Sequence, residues 1–207
     1  MKWMSIVATG VVIALAGLLL TRLGDSPELP VLAELPDFRL VDSNGDALGL
    51  SDLRGQIWVA DFIFTSCPSF CPRLTQQMAV VQEQVRNENG VRLVSFSVDP
   101  VTDTPERLRD YGIRHGAAPE LWSFVTGSRA AMYALVRDGF KLAVAERTEA
   151  EAVDGEGIIL HSDRFVLVDR AGRIRGYYHG TDDESVAALI RDATQLARAR
   201  YGESPTQ

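Results

Sequence analysis

Apolar positions along the chain fall into short solid runs and helical stripes, and the sharpest junction between the two lies at residues 57–85. Ile57 to Phe64 (IWVADFIF) is β-branched and aromatic with little polar alternation, the pattern of a strand covered on both faces of a sheet. Beyond it Leu74, Met78, Val81 and Val85 recur at helical spacing, with Arg73, Gln76, Gln77, Gln82 and Glu83 between them. Asn89-Gly90 closes that helix before a second apolar run, Val91 to Val98 (VRLVSFSV). Strand, helix, strand predicts a right-handed parallel crossover.

The same reading extends in both directions. Asp37 to Leu50 holds Asn44-Gly45 between two short alternating runs and predicts a hairpin. Thr104 is placed to cap a helix that opens at Pro105 and runs to about His115. Trp122 to Thr126 reads as a short strand, Ser128 as the cap of a helix through Val136, and Phe140 to Ala145 as strand-like. Glu146 to Glu156 is acidic without apolar periodicity and predicts a solvated, mobile loop. Arg164 to Val168 and Ile174 to Tyr178, joined by Arg170-Ala171-Gly172, form a second hairpin. Thr181-Asp182-Asp183-Glu184 has the form of a capping box before a last helix, whose apolar face is Val186, Leu189, Ile190, Ala193, Leu196 and Ala197. Arg191, Asp192, Arg198 and Arg200 mark the wet face of that helix, and there is no internal repeat.

The N-terminus breaks with this pattern. Met4 to Leu20 is uncharged, between Lys2-Trp3 and Arg22. At helical rise it covers roughly 25 Å, slightly short of a bilayer core, and Trp3, Arg22 and Leu23 extend it. A membrane anchor is the favoured expectation. A cleaved signal peptide ending near Ala14-Leu15-Ala16 is the alternative, opposed by the three leucines that follow. Either one exports the rest of the chain. Residues 24–36, with three prolines within Thr21 to Pro36, read as an extended tether. The expected organisation is therefore residues 1–23 anchor, 24–36 linker, 37–203 one folded domain and 204–207 a tail. A length of 207 residues suits that single core, and a net charge of −7 argues against a nucleic-acid partner.

Export changes the meaning of the only two cysteines, Cys67 and Cys71, which sit in Thr65-Ser66-Cys67-Pro68-Ser69-Phe70-Cys71-Pro72 where the first core strand gives way to its helix. Thiols outside the cytoplasm tend to oxidise, so the pair reads as a disulfide, a metal site or a redox couple. Cysteines four apart lie on one helical face, and a helix N-terminus favours thiolate, so two soft anionic sulfurs are expected to converge. A structural disulfide is the plainer reading, and the small loop it closes would add little stability. His115 and His179 read as solvent-facing, and Asp99 as either a supporting residue at the strand edge or a turn-former beside Pro100.

This arrangement of elements, with a two-cysteine turn after the first core strand, resembles the thioredoxin fold: α/β, a central mixed sheet flanked by helices, here with an N-terminal hairpin extension and an N-terminal transmembrane helix. It resembles the Sco (SenC) family of membrane-anchored copper proteins more closely. The matching stretches are Pro36-Asp37-Phe38 with Asn44-Gly45, Thr65 through Pro72, Ser97-Val98-Asp99-Pro100 with Asp103-Thr104-Pro105, Trp122 with Thr126-Gly127, and His161-Ser162 before Val168-Asp169. The resemblance implies copper bound by Cys67, Cys71 and His161, and a disulfide between the cysteines in another state. Two thiolates suit Cu(I) and an added imidazole extends the site to Cu(II). Thioredoxins place a cis-proline opposite their cysteines, whereas this chain has no proline between Pro119 and Pro205.

The resemblance implies a metallochaperone that passes copper to the copper-site subunit of cytochrome c oxidase, held in the bacterial inner membrane by its N-terminal helix with the soluble domain on the periplasmic face. A periplasmic thiol reductase or another copper chaperone joins the oxidase as an expected partner. The alternatives are a thiol-disulfide oxidoreductase that uses Cys67 and Cys71 to reduce the oxidase's copper-site cysteines, or a redox sensor. A thiol peroxidase fits poorly, because the proline and the Thr or Ser that peroxiredoxins place before the reactive cysteine are Ala60 and Phe64 here. A Zn²⁺ site on the same three ligands stays open.

Overall fold

The computed structural model describes residues 28–67, 71–143, 145–146, 158–159 and 162–199. Its elements in chain order are β1 (Ala33–Glu34), β2 (Arg39–Asp42), β3 (Ala47–Gly49), α1 (Leu50–Leu53), β4 (Ile57–Ile63), α2 (Cys71–Val85), β5 (Val91–Ser97), α3 (Pro105–Arg114), β6 (Trp122–Thr126), α4 (Arg129–Ala134) with a π-helical turn (Leu135–Gly139), β7 (Ala145–Glu146), β8 (Ile158–Ile159), β9 (Arg164–Val168), β10 (Arg173–His179) and α5 (Asp183–Arg198). Eight strands form one mixed sheet in the order β1-β10-β9-β4-β5-β6-β2-β3. β4, β5 and β6 are parallel, with Ile57 opposite Val91 and Leu93 opposite Trp122, while β9 runs antiparallel to β4.

Every residue of β4 is buried, as its solid apolar run requires, and alternate residues feed two separate cores. Trp58, Ala60 and Phe62 face one side, where they meet Val94, Phe96, Met132, Val136 and Phe140. The rings of Phe62 and Phe140 meet edge-on at 4.9 Å, and those of Phe62 and Phe96 stack at 5.6 Å. Ile57, Val59 and Ile63 face the other side, against Leu74, Met78, Val81 and Val85 of α2, Leu108 of α3, and Val186, Leu189 and Ala193 of α5. Covering both faces is what permits the parallel strip in the middle.

Local chemistry sets the ends as the residues predict. Asp42 accepts from the Asn44 and Asp46 amides at 2.8 and 2.9 Å and Gly45 takes φ +90°, closing the β2–β3 hairpin. Thr104 and Ser128 accept from Arg107 N–H and Ala131 N–H and start α3 and α4. Asp169 holds the β9–β10 turn through the amides of Ala171 and Arg173, and Gly172 sits at φ +82°.

Three expectations give way. Phe140 to Ala145 is not one strand: Phe140 and Leu142 donate back to Leu135 and Val136, and Lys141 has φ +56°. Their apolar side chains mark burial under the sheet, not extended pairing. The cap of α5 is Asp182, which accepts from Ser185 N–H, because the Thr181 hydroxyl is committed to Asp163 at 2.7 Å. The stretch read as a tether also contributes to the domain from residue 28. Leu32 and Leu35 donate to Ile174 and Gly172, β1 pairs with β10, and the buried Arg175 guanidinium donates to the carbonyls of Leu29 and Pro30. Composition marked this segment as extended, which it is; it carries no sign of where an extended segment docks.

β7 and β8 pair as a two-residue ladder, and residues 147–157, within the stretch expected to be a solvated loop, lie outside the described ones. No helix among the described residues is long and apolar enough to cross a membrane, and the stretch read as an anchor, residues 1–23, lies outside them.

Candidate functional site

The cysteine turn begins where β4 ends. Cys67 N–H donates to Phe64 C=O at 3.1 Å, folding the chain back after Thr65-Ser66. Cys71 then opens α2, and residues 68–70 between them lie outside the described ones. Both side chains are thiols, and both are buried, with 7 % of Cys67 and 1 % of Cys71 exposed. The structure brings the pair together: the Cys71 thiol is hydrogen-bonded to Cys67 and to the Phe64 backbone.

The position at a helix N-terminus predicts a lowered thiol pKa, and for Cys71 the structure reverses it. Burial pushes the Cys71 thiol up to about 12, against the relief of the Phe64 hydrogen bond, with Cys67 and the carboxylate of Asp61 adding to the rise. Desolvation of a thiolate outweighs the half-charge at a helix end when water is excluded. Cys71 is therefore a proton carrier at neutral pH, and a metal or a disulfide must displace that proton.

Beneath the pair lies a polar cluster that periodicity did not single out. The Thr75 hydroxyl lies 2.9 Å from the Cys71 carbonyl and 2.7 Å from the Tyr111 hydroxyl, bridging α2 to α3. Asp61, in the middle of β4, is fully buried on the same side of the sheet as α2, and no hydrogen bond of good geometry reaches either carboxylate oxygen. Burial pushes its carboxyl up to about 7, and Ser95, opposite it in the β4–β5 register, pulls back only part of the way. The signal for Asp61 was in the sequence as one acid within an apolar strand run.

On the flank nearest Cys67, Asp103 accepts from the Thr65 amide at 3.0 Å, the Thr65 hydroxyl at 2.5 Å and the Ser97 hydroxyl at 2.7 Å. Asp99, its neighbour in the same turn, is a turn-former: its carbonyl accepts from Thr102 and Asp103.

His161, the third expected ligand, lies outside the described residues. Among the described residues no three His, Cys, Asp or Glu side chains are grouped to hold a metal ion. The two other histidines have partners that spacing did not reveal. His179 Nδ1 lies 3.1 Å from Asp163. Burial opposes ionisation of Asp163, yet bonds from Thr181 and His179 hold its pKa below the usual carboxylate value. His115 packs on Tyr111 with ring centroids 4.3 Å apart, and burial followed by the charge of Arg114 lowers its pKa.

Comparison with known proteins places this geometry in context. The family model described as SCO1/SenC matches residues 29–197. The SCO1 protein homolog of Bacillus subtilis (strain 168) is 32 % identical over 165 residues, covering 79 % of this chain and 82 % of that one. The solved structure of BsSco, a member of the Sco family of cytochrome c oxidase assembly proteins in which a disulfide switch was identified, aligns with TM-score 0.71 at 29 % identity, over 85 % of this chain and all of the other. Bradyrhizobium japonicum ScoI with copper bound has the same fold, with TM-score 0.63 at 24 % identity over 77 % of this chain and 99 % of its own.

Proposed function

Because this chain belongs to the SCO1/SenC family, we propose that it is a metallochaperone that carries copper on Cys67, Cys71 and His161 and delivers it to the copper-site subunit of cytochrome c oxidase. The observation that carries the reading is the pair of buried, mutually hydrogen-bonded thiols at the start of α2, the chain's only cysteines. Two sulfur donors suit a soft monovalent ion, and one imidazole added to them suits the divalent state. Copper is the cargo, and three protein ligands leave a position for an acceptor's ligand. Burial of the pair keeps water and oxidants from the sulfurs, and the high thiol pKa of Cys71 couples loading to proton release. In this reading residues 1–23 anchor the chain in the bacterial inner membrane, with the domain on the periplasmic side.

The test is an anaerobic titration of the reduced full-length chain with Cu(I), Cu(II) and Zn²⁺, repeated for Cys67→Ser and His161→Ala. The expected outcome is one copper per chain, loss of Cu(I) binding in Cys67→Ser and selective loss of Cu(II) in His161→Ala. Copper binding that survives Cys67→Ser would overturn the assignment.

The contact between the two thiols also favours a second reading, a thiol-disulfide oxidoreductase that reduces the oxidase's copper-site cysteines, or a redox sensor built on the same couple. That activity needs only Cys67 and Cys71, so His161→Ala separates the two: copper transfer falls while reduction of an oxidised copper-site peptide continues.

A further inference from the structure

Asp103 is fully buried in the turn between β5 and α3, yet the groups it serves belong largely to another loop. Its two carboxylate oxygens accept from Thr65 N–H, Thr65 Oγ1 and Ser97 Oγ at 3.0, 2.5 and 2.7 Å. Arg107, in the first turn of α3, completes the clasp: its Nε donates to Thr65 Oγ1 at 2.7 Å and lies 3.9 Å from Asp103 Oδ1. The Thr65 hydroxyl therefore accepts from the guanidinium and donates to the carboxylate, which fixes its rotor. A buried carboxylate is costly unless its lone pairs are filled, and here they are filled mainly by the residue two before Cys67.

What Thr65 holds is the turn that carries the sulfurs. Phe64, immediately before it, accepts from Cys67 N–H and lends its backbone to the Cys71 thiol. Asp103 reaches neither sulfur directly; its effect passes through the Phe64–Cys67 backbone to both. We infer that Asp103 is a positioning residue for the cysteine pair, holding Thr65 so that the two thiols stay side by side and thereby setting the balance between dithiol and disulfide. The inference rests on the reading of Cys67 and Cys71 as a functional pair. In that interconversion both S–H bonds are lost and one S–S bond forms. Two protons leave to solvent, and two electrons pass to a disulfide oxidant such as oxidised dithiothreitol, which becomes the dithiol.

The experiment equilibrates the full-length chain in dithiothreitol buffers of graded oxidation state and reads the disulfide fraction by thiol alkylation and mass. Asp103→Asn keeps the shape but places an amino group where hydroxyl and amide donors point, and Thr65→Val keeps the shape but removes the hydroxyl. Both are expected to move the equilibrium constant by about tenfold toward the dithiol, because sulfurs no longer held side by side close a disulfide less readily. Thr65→Ser, which restores the hydroxyl, is expected to stay within about twofold of wild type on the same scale.

A merely structural role would lower the melting temperature of Asp103→Asn and Thr65→Val and leave the constant unmoved, which overturns the inference. Should Asp103→Asn fail to fold, the Thr65→Val and Thr65→Ser pair decides alone. A wild-type chain that forms no Cys67–Cys71 disulfide at any ratio overturns the reading of the pair, and this inference with it. A wild-type disulfide with indistinguishable variants overturns the inference only.

Discussion

Asp61 is the residue whose chemistry departs furthest from its type. Burial raises its carboxyl from 3.8 in the unfolded chain to about 7 in the fold. The folded state therefore binds more protons than the unfolded state between those values, so stability falls as pH rises through that window. The full difference is on the order of 4 kcal/mol at pH above 7. Asp61→Asn is expected to flatten the decline: urea midpoints from pH 4 to 8 should fall for the wild type and stay nearly level for the variant. A wild-type curve that rises over this range from the same residue's ionisation would contradict the burial argument. A smaller effect is expected at Tyr111→Phe, which removes the hydroxyl facing Thr75 at 2.7 Å, at a cost of about 1 kcal/mol in urea unfolding. Asp61 stood in the sequence as an acid inside an apolar run, yet the strand reading passed over it. The meeting of Asp103 with Thr65, 38 positions away, was not legible at all, because no local pattern records it.

At the scale of elements, caps and turns were legible because their chemistry is local. Thr104, Ser128 and the Asn44-Gly45 hairpin each use bonds within about four residues. The course of residues 28–35 was not, because what holds it lies on β10, more than a hundred positions away. Arg175 is the hub there: it pairs with Asp169 at 2.9 Å and with Glu28 at 3.5 Å while donating to the backbone of Leu29 and Pro30. Arg175→Met is expected to cost about 2 kcal/mol, since several charge-assisted bonds are lost while Asp169 keeps Arg173 and its backbone donors. Hydrogen exchange should locate the damage: the amides of Leu32 and Leu35, bonded to Ile174 and Gly172, speed up, and those of β4 do not. The helix dipole argument failed for Cys71 at this same scale. It described the end of α2 and left out the protein packed around it.

For the whole molecule, alternation of strand and helix runs was enough to reach the α/β class and the parallel β4–β5 pair. The sheet order was not reachable, because β2 joins β6 and β9 joins β4 through contacts that no periodicity encodes. The site shows the same division: the cysteines were legible as a motif, while the burial that sets Cys71's proton affinity belongs to the finished core. If the pair carries copper as proposed, that burial makes loading pH-dependent. A ligand thiol still protonated well above neutral pH releases its proton on binding, so apparent Cu(I) affinity should rise by about tenfold per pH unit for each proton displaced. Competition against a Cu(I) chelator from pH 6.5 to 8.5, corrected for the chelator's own protonation, measures the slope; a flat line would mean the thiols are already ionised.

The sheet terminates in β1 at one side and β3 at the other, strands of two and three residues. Such stubs offer few unpaired amides on which a neighbouring molecule could template a fibril. Stripping residues 28–35 would bare the seven-residue margin of β10, and the shortened protein is expected to aggregate, with thioflavin fluorescence growing over hours where the intact chain stays clear.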